Sequence, residues 1–200
     1  IIPCGKRGFI CYSSSKIFLY NDNLEEKKIL EIDNELEITA LEVIDKDTII
    51  YGTSNGCLVM YNITEGKKIL SKILSSDSLV VKKIKLLPHG RCFVILNPYD
   101  YHHERENIIL ILNISGSNVI EEKEFYSDGH VSYIGITSAG HVMFTMNSIR
   151  YSDSLVAVYD ILKKKETIHD ICVYAVLSLS SFDSIIGVNS NMASKVTIFE

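Results

Sequence analysis

The densest set of side chains able to do chemistry lies in one short stretch, Tyr99-Asp100-Tyr101-His102-His103-Glu104-Arg105. Two adjacent imidazoles with carboxylates at hand are donors that a divalent metal accepts. Neighbours in an extended chain point to opposite sides, so His102 and His103 converge only in an irregular loop. A solvated loop is therefore the expected reading, with no metal and no other cofactor. His89, His141 and His169 stand at turns or strand ends and need no special role. The five cysteines, Cys4, Cys11, Cys57, Cys92 and Cys172, are odd in number and form no Cys-x-x-Cys pair. They read as free, mostly buried thiols of a reducing, intracellular and cytoplasmic setting. No phosphate-cradling glycine loop, no Gly-x-Ser-x-Gly and no His-Glu-x-x-His occurs. No catalytic residue is assigned, and the expectation is a protein that is not an enzyme.

Charge excludes further classes. The net charge is −5, and the densest basic run, Lys163-Lys164-Lys165, abuts Glu166. That run reads as a solvated hairpin turn rather than a nucleic-acid surface, so no nucleic-acid partner is expected. The longest near-apolar run, Ile171 to Leu179, is broken by Ser178 and falls short of the ~20 residues a membrane span needs. Asn62-Ile63-Thr64 and Asn113-Ile114-Ser115 match the glycosylation pattern by chance, because both begin at a position that the repeat described below already explains.

What remains is recognition. Two loops are longer than their counterparts, Asn97–Asn107 and Ser148–Ser154, and each carries Tyr and Arg, residue types enriched in binding hot spots. Tyr99, Tyr101, His102 and Arg105 are expected to neighbour Arg150 and Tyr151 in one protein-binding patch. His102 and His103 would make such a contact respond to pH near 6. Harmless loop drift is the alternative.

The elements that position these loops follow from a repeat. Short strands end in an aromatic or leucine plus a polar residue at Tyr20-Asn21, Tyr61-Asn62, Leu112-Asn113, Tyr159-Asp160 and Phe199-Glu200, at spacings of about 40–50 residues. Within 37–76 the strands Ile38–Ile44, Thr48–Thr53, Cys57–Ile63 and Lys67–Leu74 are separated by short turns, the second built on Ser54-Asn55-Gly56, where Asn-Gly supplies positive φ. Two further four-stranded blades span 80–125 and 131–171, and three-stranded partial blades span 1–33 and 174–200. Turns at Pro3-Cys4-Gly5-Lys6, Pro88-His89-Gly90-Arg91, Ser138-Ala139-Gly140-His141 and Ser180-Ser181-Phe182-Asp183 stand in register. Ile108-Ile109-Leu110-Ile111-Leu112 is apolar on both faces, as in a strand covered by neighbours on two sides. The fold class is thus all-β, a β-propeller of four-stranded antiparallel blades, with about four and a half blades in these residues. Tyr20, Tyr61, Leu112, Tyr159 and Phe199 are expected to be buried at equivalent places.

Gly129-His130 before Val131, with Tyr159-Asp160 closing the third strand of the same blade, resembles the WD-repeat family. In that family a Gly-His pair precedes the first strand and Trp-Asp ends the third. The resemblance covers essentially the whole chain and implies a propeller that is part of a larger, seven-bladed ring, with His130 and Asp160 as structural residues of the repeat. The chain departs from the pattern. It has no Trp, Asn or Glu replaces Asp in the other blades, and Gly-His is missing from them. A divergent branch is what the resemblance implies.

These observations lead to a rigid protein–protein interaction scaffold or a subunit of a multiprotein complex, with one or more proteins as partners. The alternatives are a regulatory propeller that promotes nucleotide exchange on a small GTPase, and a propeller enzyme whose active site lies outside these residues.

Overall fold

The structure is a computed structural model. It describes residues 2–3, 8–31, 36–75, 79–98, 106–116, 118–127, 129, 131–137, 140–147, 154–171, 175–179, 185–189 and 196–199, with backbone alone at 27–30, 133–134, 147, 154, 169–171 and from 175 onward. Every regular element among them is a strand. The first sheet holds β1 (Ile2–Pro3), β2 (Phe9–Tyr12), β3 (Lys16–Tyr20) and β4 (Glu26–Glu31), and the second β5 (Ile38–Val43), β6 (Thr48–Thr53), β7 (Cys57–Asn62) and β8 (Lys67–Ile73). The third holds β9 (Leu79–Leu87), β10 (Arg91–Pro98), β11 (Asn107–Ser115) and β12 (Asn118–Ser127). The fourth holds β13 (Val131–Ile136), β14 (His141–Asn147), β15 (Ser154–Asp160) and β16 (Lys165–Ile171), and the fifth β17 (Ala175–Leu179), β18 (Ile185–Asn189) and β19 (Val196–Phe199). Strands neighbour one another in chain order, and the ladders are antiparallel. The chain divides into two compact units, residues 1–103 with 109–124, and residues 104–108 with 125–200.

Several boundaries differ from the sequence expectation. The first sheet has a fourth strand, because Ile2 pairs with Ile10 and Pro3 with Phe9. A two-residue strand carries no periodicity that a sequence can display. The expected turn at Pro3 therefore starts inside a ladder, and its residues 4–7 lie outside the described ones, as do 138–139 and 180–183 of the later turns. Asn97 and Pro98 extend β10, opposite Val80 and Leu79, so part of the expected loop is strand, and its residues 99–105 lie outside the described ones. Ser154 likewise belongs to β15, paired with Asn147. In the turn between β6 and β7, positive φ is supplied by Gly56 alone, at 75°.

Packing in the first unit follows from strands that are apolar on both faces. All six residues of β6 are buried, as are Cys92–Leu96 of β10 and Ile109–Leu112 of β11. Ile10 and Ile17 of the first sheet join Ile38, Leu41, Ile49, Tyr51, Cys57, Val59 and Ile63 of the second in one apolar cluster. Each fully buried side chain of this size contributes about 1.5–3 kcal/mol. Sheets two and three meet at Gly52, where an added Cβ would lie 2.2 Å from Val81 Cγ1. Glycine is required there by close approach, since nothing larger fits between β6 and β9.

A feature that the sequence did not display recurs in the first strand of three sheets. The register slips by one residue between Ile38 and Ala40, between Val81 and Lys83, and between Tyr133 and Gly135. Each slip is a β-bulge, which kinks the strand and frees one residue from the ladder. The freed Thr39 uses its hydroxyl to donate to the Val81 carbonyl at 2.6 Å, strapping β5 to β9.

The strand-ending aromatic positions are not equivalent. Leu112 and Tyr159 are fully buried, whereas Tyr20 and Tyr61 are only partly so. Tyr159 stands edge-on to Phe125 at 6.0 Å between ring centres, and Phe125 stands edge-on to Phe144 at 5.0 Å. Tyr20 instead stacks on Phe9 at 5.1 Å, and Tyr61 packs at the margin of the apolar cluster. A phenol can lay its ring on apolar surface and leave its polar tip wet, so these positions hold Tyr without full enclosure. The side chain of Phe199 lies outside the described residues.

Two stability measurements check this packing. Tyr159→Ala should destabilise by about 3–5 kcal/mol and Tyr61→Ala by clearly less, read from denaturant midpoints; equal losses would contradict the difference in burial. Gly52→Ala should destabilise by about 1–3 kcal/mol through overpacking against Val81, and an unchanged melting temperature would mean that β6 and β9 are not so close.

Candidate interaction surface

The polar residue of three strand-end pairs has a local task, and Glu200 of the last pair lies outside the described residues. Asn21 Oδ1 accepts the amides of Asn23 (3.0 Å) and Glu25 (2.8 Å), Asn62 Oδ1 accepts that of Glu65 (2.8 Å), and Asp160 Oδ1 accepts those of Leu162 (3.0 Å) and Lys163 (2.9 Å). A short Asn or Asp side chain folds back on its own turn more readily than any longer one, which suits Asn21, Asn62 and Asp160 to this task. The bond from the Lys163 amide, with the nearby Lys163 ammonium, holds the Asp160 carboxyl below the usual carboxylate range. His141 Nε2 lies 3.4 Å from the other oxygen of Asp160. The run Lys163-Lys164-Lys165 is exposed on this hairpin, with Lys164 at φ 53°.

Asn113 departs from the pattern. Its amide donates to Glu122 Oε1 at 3.2 Å, and the same carboxylate takes a two-pronged contact from Arg91, Nε at 2.5 Å and Nη2 at 3.0 Å. The pair is largely removed from water, with side chains 13% and 5% exposed, so it is a structural clamp between β10 and β12 rather than a ligand-binding Arg. Asn62 and Asn113, the two sequence matches to a glycosylation acceptor, thus both spend their side chains on the fold.

Further charged groups are engaged in the same way. Lys85 pairs with Glu42, joining β9 to β5. Lys83 sits two residues before Lys85 on β9, and burial, aided by the Lys85 charge, lowers its pKa. Lys72 Nζ donates to the Val119 carbonyl at 2.8 Å. At the turn after β5, Thr64 donates to Asp47 Oδ1 at 2.7 Å, and Asp45 Oδ1 accepts the amides of Asp47 and Thr48. Nothing in sequence reasoning singled out Thr39, Glu42 or Lys83, whereas Asp45-Lys46-Asp47 reads as a turn from sequence and is one. A Lys-x-Lys spacing that puts two ammoniums on one side of a strand was the only available signal for Lys83 and Lys85.

Nucleophile chemistry finds little purchase here. Burial pushes the Cys92 thiol up to about 12, so it stays protonated and unreactive. Cys11 and Cys57 are also free, and Cys57 Sγ lies 3.3 Å from Ser71 Oγ. Among the described residues no group of three or more His, Cys, Asp or Glu side chains is arranged to hold a metal, and no helix is long and apolar enough to cross a membrane.

The recognition residues expected from sequence, Tyr99, Tyr101, His102, Arg105, Arg150 and Tyr151, lie outside the described residues, as do His103 and His130. Their anchoring points are described. The loop at 148–153 springs from a ladder paired up to Asn147 and Ser154. The loop before β11 ends at an exposed Glu106, followed by Asn107, whose amide donates to the Gly129 carbonyl. Gly129 is buried, with its amide on Ser127 Oγ.

Asp160 offers a check on the capping role. Because its folded pKa is depressed, its contribution is fully present above the ordinary carboxylate pKa and is lost as pH falls through the lower folded value. Asp160→Asn should keep the cap, leave the melting temperature near its neutral-pH value and flatten the acid limb of the stability profile. Asp160→Ala should lower the melting temperature by about 2–4 °C at neutral pH. An Asn variant as unstable as the Ala variant would show that the charge, not the cap, matters.

No family model matches the chain, and no curated protein sequence matches it. Solved structures do. The β-propeller domain of Cps50 (Swd1) from Myceliophteria thermophila superposes with a TM-score of 0.64 at 9% identity, over 99% of this chain and 69% of that one. A protein of unknown function from Bacteroides caccae superposes with a TM-score of 0.56 at 12% identity, over 89% of this chain and 63% of that one. The chain therefore spans about two thirds of the length of these neighbours. At such identities the likeness concerns architecture, and with the antiparallel four-stranded sheets above it establishes that this chain has the β-propeller fold.

Proposed function

We propose that this protein is a non-catalytic interaction scaffold, or the propeller subunit of a multiprotein complex, and that it binds a protein partner through the loops between second and third strands. The observation that carries this reading is how the described residues spend their chemistry. Arg91, Glu122, Glu42, Lys85 and Asp160 are committed to clamps and caps within the fold. The β-propeller architecture presents hairpin loops on a rigid frame without needing a reactive centre, although fold alone is a weak warrant for function. The second-to-third-strand turn takes three residues in the second sheet, Ser54 to Gly56, and is expanded with Tyr, Arg and His at 99–106 in the third. Aromatic and Arg side chains give large contact area and charge-assisted bonds at modest entropic cost, which suits a protein surface better than a small ligand.

The test is to replace Tyr99–Glu106 by a two-residue Asn-Gly turn. The far-ultraviolet spectrum and melting temperature should stay close to those of the unaltered chain, while the partner is retained at least about tenfold less tightly, the loss of one hot-spot cluster. Full retention by a folded, trimmed protein would move the binding surface elsewhere. Acceleration of nucleotide release from a small GTPase, abolished by the same trimming, would replace a scaffold with an exchange factor.

A further inference from the structure

The turn between β6 and β7 joins an exposed Asn55 to a buried Gly56. Gly56 cannot be replaced without strain, since its φ is +75° and an added Cβ would lie 2.7 Å from the Leu79 carbonyl oxygen. The fold thereby fixes glycine behind Asn55, and in an Asn-Gly pair no side chain shields the backbone nitrogen that follows the asparagine. Both groups able to react are held by one residue. The Gly56 amide donates to the Thr53 carbonyl at 3.1 Å, and the single proton of the Thr53 hydroxyl goes to Asn55 Oδ1 at 2.6 Å, the shorter of its two contacts, in preference to the Cys57 carbonyl at 3.1 Å. Thr53 is itself fully buried, and its hydroxyl oxygen also accepts the Cys57 amide at 3.1 Å.

We propose that Asn55 is a site of spontaneous deamidation and isomerisation, and that Thr53 is the clamp that sets its rate. In the reaction the Gly56 nitrogen gives up its proton and attacks Asn55 Cγ. The new N–Cγ bond forms, the Cγ–Nδ2 bond breaks and ammonia leaves, giving a five-membered succinimide. One water molecule opens the ring at either carbonyl, leaving aspartate or isoaspartate in place of the asparagine, with no oxidant or cofactor involved. The bond to the Thr53 carbonyl ties down the attacking nitrogen, and the bond from the Thr53 hydroxyl holds the side-chain carbonyl that the attack must reach. Ring closure therefore requires local opening of the turn. The product matters to the packing of the first unit. Isoaspartate adds a methylene to the main chain of a three-residue turn whose Gly56 carbonyl also accepts the Leu74 amide at 3.0 Å and whose Gly56 abuts Leu79. Leu74 and Leu79 would lose the fixed Gly56 backbone against which they are set.

The experiment ages the purified chain at mildly alkaline pH, natively and in concentrated urea. Conversion at Asn55 is read by peptide mapping and by enzymatic methylation of isoaspartate. Conversion should occur in both conditions, at least about tenfold slower in the native protein, the effect of an opening step of about 1.4 kcal/mol or more. Thr53→Val should raise the native rate about fivefold, as expected for the loss of one ordinary hydrogen bond, and Asn55→Gln should abolish the signal at this site. Equal rates in buffer and urea would overturn the clamp, and so would a folded Thr53→Val variant that ages like the unaltered chain. No conversion at Asn55 even in urea would overturn the site. Should Thr53→Val fail to fold, the native-to-urea ratio of the unaltered chain decides alone.

Discussion

Two-sided burial is the constraint on which the rest of this structure depends. A sheet whose central strands are apolar on both faces cannot present either face to water, so each sheet must be flanked by another. β6 and the central parts of β10 and β11 have this character. Once that holds, the strand interiors are closed to polar chemistry, because a buried polar group without a partner costs more than a substitution there can return. The exceptions confirm the pressure. Thr39 survives because its hydroxyl donates to the Val81 carbonyl, Thr53 because its hydroxyl oxygen accepts the Cys57 amide while its proton goes to Asn55, and Glu122 because Arg91 and Asn113 surround it.

The same constraint explains which parts could be read from the sequence. Strand positions in the second, third and fourth sheets agree with the apolar runs to within a residue or two, since burial fixes both. At Tyr20-Asn21, Tyr61-Asn62 and Tyr159-Asp160 the repeat was legible because it combines two independent requirements, a side chain on apolar surface and a short acceptor for the next turn. Tyr61 shows the limit of that inference. A periodic aromatic marks a place in the architecture, but how much of it is enclosed depends on neighbours brought from elsewhere in the chain. β1 was missed because Ile2 and Pro3 are too few to form a pattern. The bulges at Thr39, Lys82 and Ile134 were missed because a single inserted residue shifts a pairing register without altering composition.

The candidate site was legible only by contrast. No residue in 99–105 or 148–153 matches a chemical motif; these segments stand out by being longer and richer in Tyr and Arg than Ser54-Asn55-Gly56, which does the same joining task. The structural pairs Glu42–Lys85 and Arg91–Glu122 lie about 30 to 45 residues apart in sequence, a distance that loops make easy to span and impossible to foresee.

Why variation should collect at one class of turn follows from how the others are occupied. The turns after first strands are pinned by groups such as Asp45 and Asp47, and by Gly90, whose carbonyl accepts the Ile114 amide at 2.7 Å. The turns after third strands are pinned by Asn21, Asn62 and Asp160. Each of these hairpins is therefore tied by a side chain, or at Gly90 by the backbone, in a way that would be felt in the ladder behind it. Where Asn147 and Ser154 close their ladder, by contrast, the chain is already fully paired before the loop begins. Extra residues inserted beyond such a pair disturb no packed strand and meet only the slowly growing cost of loop closure. Among the described residues, strand interiors committed to apolar contacts and hairpins tied by caps leave the Asn147–Ser154 pair as a place where the ladder asks nothing of the residues beyond it.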